Sequence, residues 1–368
     1  MSRQPSQFEQ KLNNWVDFHL RRIPFIHKTF FVEHLYTMVH AGLSLVEALD
    51  VLGKELENKK LRLISQKIKA DVEKGQPLSE ALSKHPSAFP PIYTRMIAAG
   101  EIAGKLEESL KQIATQMHKT HELTSSIRSA MIYPAVIIVA MGGIGIMMVT
   151  FVLPKLVDLF DEFKTELPLA TRILINISNL LSNPINLAIA ILALVLLITA
   201  FAISLKRFIK FRYSIHWLNL HLPIAGKIIK KINLARFSLT LSSLLKSTIP
   251  IVEAVEITAS TCTNLLYQKD LKEAAQKIKS GVPLSEILST NFKLFPPMVT
   301  EMIMVGEKSG EVNQLLDELA NFYSTEVDKT MKNFATVIEP IIIILLGLAV
   351  ASMAVAVIMP MYTLVQNF

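Results

Sequence analysis

A single cysteine, Cys262, stands in 368 residues. An internal disulfide is excluded, and so is a zinc cage built from thiolates. Energy-coupling motifs are missing as well. No G-x-x-x-x-G-K-[ST] loop is present to cradle phosphates, and no G-x-G-x-x-G follows a strand. H-E-x-x-H and G-x-S-x-G are absent too. Nothing here argues for catalysis, a cofactor or a resident metal. Charge is sparse, at 19% of residues against 51% hydrophobic, with a mean hydropathy of +0.39. That is too apolar for an ordinary soluble protein and too charged for a chain immersed in lipid throughout. Soluble modules tied to a few membrane spans are expected. The opening Met1-Ser2-Arg3-Gln4-Pro5 has no apolar core behind a basic end, so no cleavable signal peptide is expected.

What the sequence does contain, it contains twice. Phe89-Pro90-Pro91 runs on to Gly100-Glu101 and Gly104, and Phe295-Pro296-Pro297 runs on to Gly306-Glu307 and Gly310, an offset of 295 − 89 = 206 residues. Gly75, Pro77, Leu78, Ser79 and Glu80 return at that offset as Gly281, Pro283, Leu284, Ser285 and Glu286. Val46-Glu47-Ala48 returns as Val252-Glu253-Ala254, and Pro134 and Pro154 return as Pro340 and Pro360. A register held without drift from about residue 31 onward is a duplication. Two domain-sized copies do not make a solenoid.

In chain order, residues 1–29 place Phe8, Leu12, Trp15 and Val16 at helical spacing. They read either as an amphipathic helix on a membrane or partner, or as an adaptor packed on the first copy. Residues 30–130 read as an all-helical bundle, with segments near 30–41, 44–57, 60–74, 77–85, 91–100 and 104–130. Gly42 and Gly75 supply left-handed caps, and Pro77 suits a first helical turn. Leu106, Leu110, Ile113 and Met117 form one stripe, repeated by Val312, Leu316, Leu319 and Tyr323. Residues 131–153 carry no charge and are long enough to cross ~30 Å of hydrocarbon; Gly142, Gly143 and Gly145 would allow close helix approach there. A short external connection over 154–184 leads to a second span, 185–205, that has no counterpart in the duplication. The linker 206–234 is basic, with Lys206, Arg207, Lys210 and Arg212 ahead of Lys227, Lys230 and Lys231. That excess places it in the cytoplasm and accounts for much of the net charge of +7 without nucleic acid. The second bundle covers 235–336, the third span 337–359, and the external tail 360–368. The unpaired span returns the second bundle to the side of the first. The expected fold is therefore an all-α membrane protein with two cytoplasmic bundles and three spans.

Recurrent acids are the candidate site residues. Glu80 and Glu286 sit near helix starts, where the dipole favours an acid. Glu101 and Glu307 lie within Gly-Glu-x-x-Gly, read as a turn in which Gly100, Gly104, Gly306 and Gly310 supply backbone angles. Their carboxylates either cap a helix or face a partner. Glu47 and Glu253 recur as well and are read with them as partner-facing or structural residues. Glu339, before Pro340, is the only acid of the last span and reads as an interfacial anchor beside a kink or as a contact to a partner. His118 and His121 lack supporting ligands and read as solvated, and Cys262 as a semi-buried packing residue.

The duplicated Gly-x-Pro-Leu-Ser-Glu, Phe-Pro-Pro and Gly-Glu-x-x-Gly motifs, with Glu339-Pro340 and a closing Pro360, resemble the secretion F family of inner-membrane platform proteins. Such proteins belong to type II secretion and type IV pilus systems. One departure is Ser247-Thr248 where the family often has Ser-Gly, which weakens the cap inferred for that helix. The resemblance implies a non-enzymatic, oligomeric scaffold without cofactor. Its implied partners are a hexameric cytoplasmic assembly ATPase, pilins or pseudopilins and other inner-membrane assembly proteins. Pilus, secretion and DNA-uptake filaments are not distinguished. A transporter subunit is the rival reading, but transporter repeats lie within the membrane, whereas here most of the repeat is outside it.

Overall fold

Helical spacing on both sides of the 206-residue offset yields matching helices. The computed structural model describes residues 23–147 and 184–366, and these hold fourteen helices and no strand. Copy 1 comprises α1 (Phe25–His40), α2 (Leu45–Glu55), α3 (Lys59–Glu73), α4 (Leu78–Ser83), α5 (Pro91–Ile102) and α6 (Leu106–Met147). Between the copies lie α7 (Pro184–Arg207) and α8 (Ile209–His221). Copy 2 comprises α9 (Ala225–Lys246), α10 (Ile251–Thr261), α11 (Leu265–Lys279), α12 (Leu284–Ser289), α13 (Pro297–Ser309) and α14 (Val312–Gln366). The bounds of α2, α3 and α4 recur in α10, α11 and α12 at the sequence offset. The expectations for residues 1–22, for the 154–184 connection up to 183 and for Pro154 lie outside the described residues.

Differences from the spacing-based reading have local causes. α1 begins at Phe25 rather than near 30, because Pro24 is the extended residue that starts it (φ −56°, ψ 145°). α6 does not stop at 130 but runs through Pro134 to Met147. A proline removes one hydrogen bond and bends a helix without having to end it. For the same reason α14 passes Pro340 and Pro360 and reaches Gln366, so Pro360 does not close it. Thr248 adopts φ +60° where copy 1 has Gly42 at φ +89°. The cap survives the missing glycine. Ile249 N bonds Leu244 O at 3.2 Å, as Leu43 N bonds Met38 O at 3.0 Å.

The chain divides into two compact units, one of Met1–Ser125 with Asn219–Val327 and the other of Ser126–Leu218 with Asp328–Phe368. In the first unit each copy keeps an aromatic centre. Phe31 meets Phe89 at 5.2 Å in copy 1. In copy 2, Phe295 meets Phe237 at 5.5 Å and Tyr267 at 5.3 Å. Leu110, Ile113 and Met117 are buried in copy 1, as Leu316, Leu319 and Tyr323 are in copy 2. Each fully buried side chain of this size contributes about 1.5–3 kcal/mol.

In the second unit apolar side chains stand exposed, Val139 at 75% and Leu348 at 63%. Among the described residues two helices, Leu106–Met147 and Val312–Leu348, are long and apolar enough to cross a membrane, while Val195–Leu205 is a shorter apolar stretch within α7. A Cβ added at Gly142, Gly143 or Gly145 would meet nothing within 4 Å.

Candidate functional site

The repeated motifs converge on one structural device, built twice. α4 starts after Pro77, which has no side chain able to cap it. Its first amides would be left without acceptors. Glu101, on the last turn of α5, supplies them. Leu78 N donates to Glu101 Oε1 at 2.5 Å and Ser79 N to Oε2 at 3.2 Å, and Ser79 Oγ also donates to Oε2. In copy 2 Glu307 accepts from Leu284 N at 2.6 Å, from Ser285 N at 3.3 Å and from Ser285 Oγ. Gly-x-Pro-Leu-Ser-Glu and Gly-Glu-x-x-Gly are thus two halves of a cap formed between helices. Glu80 and Glu286 lie in the first turns of α4 and α12, exposed.

The glycines divide into two kinds. Gly104 and Gly310 take positive φ, +67° and +78°. Gly100 and Gly306 are helical, so the expectation that they supply unusual angles is corrected. They are small because the next helix comes close. A Cβ on Gly100 would lie 2.0 Å from Ser109 Oγ, and one on Gly306 would lie 2.8 Å from Val312 Cα. Phe89 and Phe295 are core residues, and Pro91 and Pro297 begin their helices where a missing N–H is harmless.

Glu47 and Glu253 diverge despite their shared position. Glu47 closes a capping box, accepting from Ser44 N at 3.0 Å and Ser44 Oγ at 2.7 Å. These bonds hold its carboxyl below the usual range. Pro250 replaces Ser44 in copy 2 and makes no side-chain cap. Glu253 instead pairs with Arg95 of copy 1.

That pair belongs to a contact between the copies. Gln112 Nε2 reaches Ser243 Oγ at 3.4 Å, and Lys119 Nζ reaches Asp317 and Asn321, each at 3.1 Å. Asp317 also holds Lys246 at 3.0 Å. Partial burial pushes its carboxyl up, but the bonds from Lys246 and Lys119 outweigh this and leave it lowered. Tyr93 is buried within reach of the Arg236 charge, with burial raising its phenol and lowering the guanidinium. In copy 2, α9 is buried at Leu239, Thr240, Ser242 and Ser243. α1 buries only Thr29, Phe31, Val32 and Leu35. Spacing did not reveal Tyr93, Arg95, Gln112 or Lys119. The usable signal was disagreement between the copies, since Arg95 becomes Glu301 and Tyr93 becomes Val299.

The remaining candidates lie apart. His118 Nδ1 is 3.4 Å from Glu122, whereas the His121 ring stacks on Phe25 at 6.3 Å. Among the described residues no group of three or more His, Cys, Asp or Glu side chains could hold a metal. Cys262 is buried, more deeply than its semi-buried reading, and burial pushes its thiol up to about 12. Glu339 is exposed on α14.

The family model for type II secretion system (T2SS), protein F, matches residues 31–154 and again 237–360. The displacement is 206 residues at both ends (237 − 31 and 360 − 154), the offset of the motifs. Similar proteins include the type IV pilus assembly protein PilC of Thermus thermophilus, 37% identical over 91% of this chain and 82% of that protein. PilC of Pseudomonas aeruginosa is 32% identical over 91% and 88%. The type II secretion system protein F of Pseudomonas aeruginosa is 31% identical over 90% and 81%.

Proposed function

The chain belongs to the type II secretion system protein F family, and from that premise we propose that it is a non-enzymatic inner-membrane platform of a type IV pilus or type II secretion machine. It couples a cytoplasmic assembly ATPase to the insertion of pilin or pseudopilin subunits into a filament. The observation that carries this reading is the pairing of the two lobes. Arg95 with Glu253 and Lys119 with Asp317 join copy 1 to copy 2, which supports a reading with both lobes in one aqueous compartment. On that reading an even number of crossings separates them. α6 supplies the first, and α7, 24 residues long and apolar from Ile185 to Leu205, is suited to the second. α14 adds a third, leaving an external C-terminus. The basic stretch after α7 supports a cytoplasmic side for the lobes, where a nucleotide-driven motor can grip them. A scaffold of this kind acts by transmitting motion, and the chain carries none of the nucleotide-binding motifs sought in it.

The test is deletion of the gene in its host, with pilin and ATPase levels followed alongside filament assembly. Subunits should accumulate in the membrane without filaments, and a copy of the gene should restore them. Normal filaments in the deletion strain would overturn the proposal.

A further inference from the structure

Between the two copies, α8 combines features that suit neither water nor hydrocarbon. Phe208 at its entry and Ile209, Phe211, Tyr213, Trp217 and Leu218 within it are each between 38% and 73% exposed. So much neighbouring apolar surface is poorly matched to water. Arg207 and Lys210 stand exposed among them, and charged groups are costly in hydrocarbon. Ile209, Tyr213 and Trp217 recur every four residues, so one face of the helix carries them in line. Tyrosine and tryptophan, each with an apolar ring and a polar edge, suit the boundary between the two phases.

The fold puts this helix at such a boundary. α7 is uncharged from Ile185 to Leu205 and ends at Arg207, and it shares a compact unit with residues 209–218. α8 does not prolong it. On a straight helix Phe211 would lie ~15 Å along the axis from Phe201, yet their rings meet edge to face at 5.9 Å. The chain therefore bends at Phe208, the residue between the two helices, and α8 leaves the line of the span.

The charge of the segment selects the partner. No Asp or Glu stands between Glu166 and Glu253. Lys231 is held by Glu326 at 2.8 Å, whereas Arg207 and Lys210 pair with no acid among the described residues. Free cations beside an aromatic face match an anionic headgroup. A second copy docked α8 to α8 would set the same cations against each other.

We propose that α8 lies along the cytoplasmic surface of the membrane and binds anionic phospholipid headgroups there. Tyr213 and Trp217 sit at headgroup depth, and Arg207 and Lys210 meet the phosphates. This placement rests on the reading above, in which α7 crosses the membrane and the lobes face the cytoplasm.

Trp15→Phe leaves Trp217 as the sole tryptophan of the full chain. That chain is reconstituted in vesicles of equal parts phosphatidylcholine and phosphatidylglycerol, with one lipid or the other brominated near the headgroup end of its acyl chains. Trp217 fluorescence should be quenched, and more strongly by brominated phosphatidylglycerol, to the extent of about a threefold preference for the anionic lipid. Arg207→Gln with Lys210→Gln, both at exposed positions, should bring that preference to parity. No quenching, equal quenching by the two lipids, or a preference that the double substitution leaves intact overturns the proposal. Sidedness is read separately with Lys272→Cys, at an exposed position of copy 2, the native Cys262 being buried. Labelling by a membrane-impermeant maleimide only after cells are permeabilised supports cytoplasmic lobes. Labelling in intact cells overturns both that reading and the placement of α8, whereas loss of the lipid preference alone overturns only the latter.

Discussion

Removing the Glu101 carboxylate tests the cap directly. In Glu101→Ala, Leu78 N and Ser79 N lose their acceptor, and the Ser79 hydroxyl loses its partner. A lost helix cap costs about 0.5–2 kcal/mol, and a hydrogen bond to a charged group contributes about 1.5–3 kcal/mol. Glu101 is only part buried, and water can replace some of these bonds, so a cost of about 2 kcal/mol is expected. That corresponds to about a 30-fold rise in the opening equilibrium of α4. The assay is amide hydrogen exchange on the full chain, resolved over residues 76–84. Exchange at Leu78 and Ser79 should accelerate by that factor, and Glu101→Gln, which keeps one acceptor oxygen, should fall between. Copy 2 serves as an internal control, because Glu307 still accepts from Leu284 N and Ser285 N, and α12 should exchange as before. Unchanged protection at Leu78 and Ser79 would refute the cap. Acceleration spread evenly through both copies would indicate global loosening and refute it equally.

Two further substitutions probe the backbone. Gly306→Ala should destabilise the protein by about 1–3 kcal/mol, since the added methyl meets Val312 Cα at 2.8 Å and Val312 N at 3.2 Å, and backbone cannot be trimmed to make room; chemical denaturation in detergent reads this, and an unaltered midpoint argues against the close approach. Thr248→Gly should do the opposite, stabilising by about 0.5–1 kcal/mol, because a threonine at φ +60° is strained and glycine is not, less the extra freedom glycine has when unfolded; the same denaturation curve, shifted to a lower midpoint, would contradict it.

The sequence by itself determined the duplication, the helical class, most helix bounds and the family. Those features depend on spacing and on local backbone chemistry, which a chain carries wherever it folds. Gly42, Gly75 and the Pro-Pro pairs mark helix ends because their φ preferences act on neighbouring residues only. Tertiary structure alone decided what the repeated acids do. Glu101 caps a helix 22 and 23 residues away, a partnership that no local spacing encodes. Glu47 and Glu253 look alike in sequence yet differ in role, because Ser44 gives one a local partner and Pro250 leaves the other to Arg95, 158 residues distant. By spacing alone the glycines of Gly-Glu-x-x-Gly look alike. Only packing separates Gly100, which admits a neighbouring helix, from Gly104, which turns the chain. Long-range contacts form between surfaces, and a surface exists only once the helices that make it have been placed.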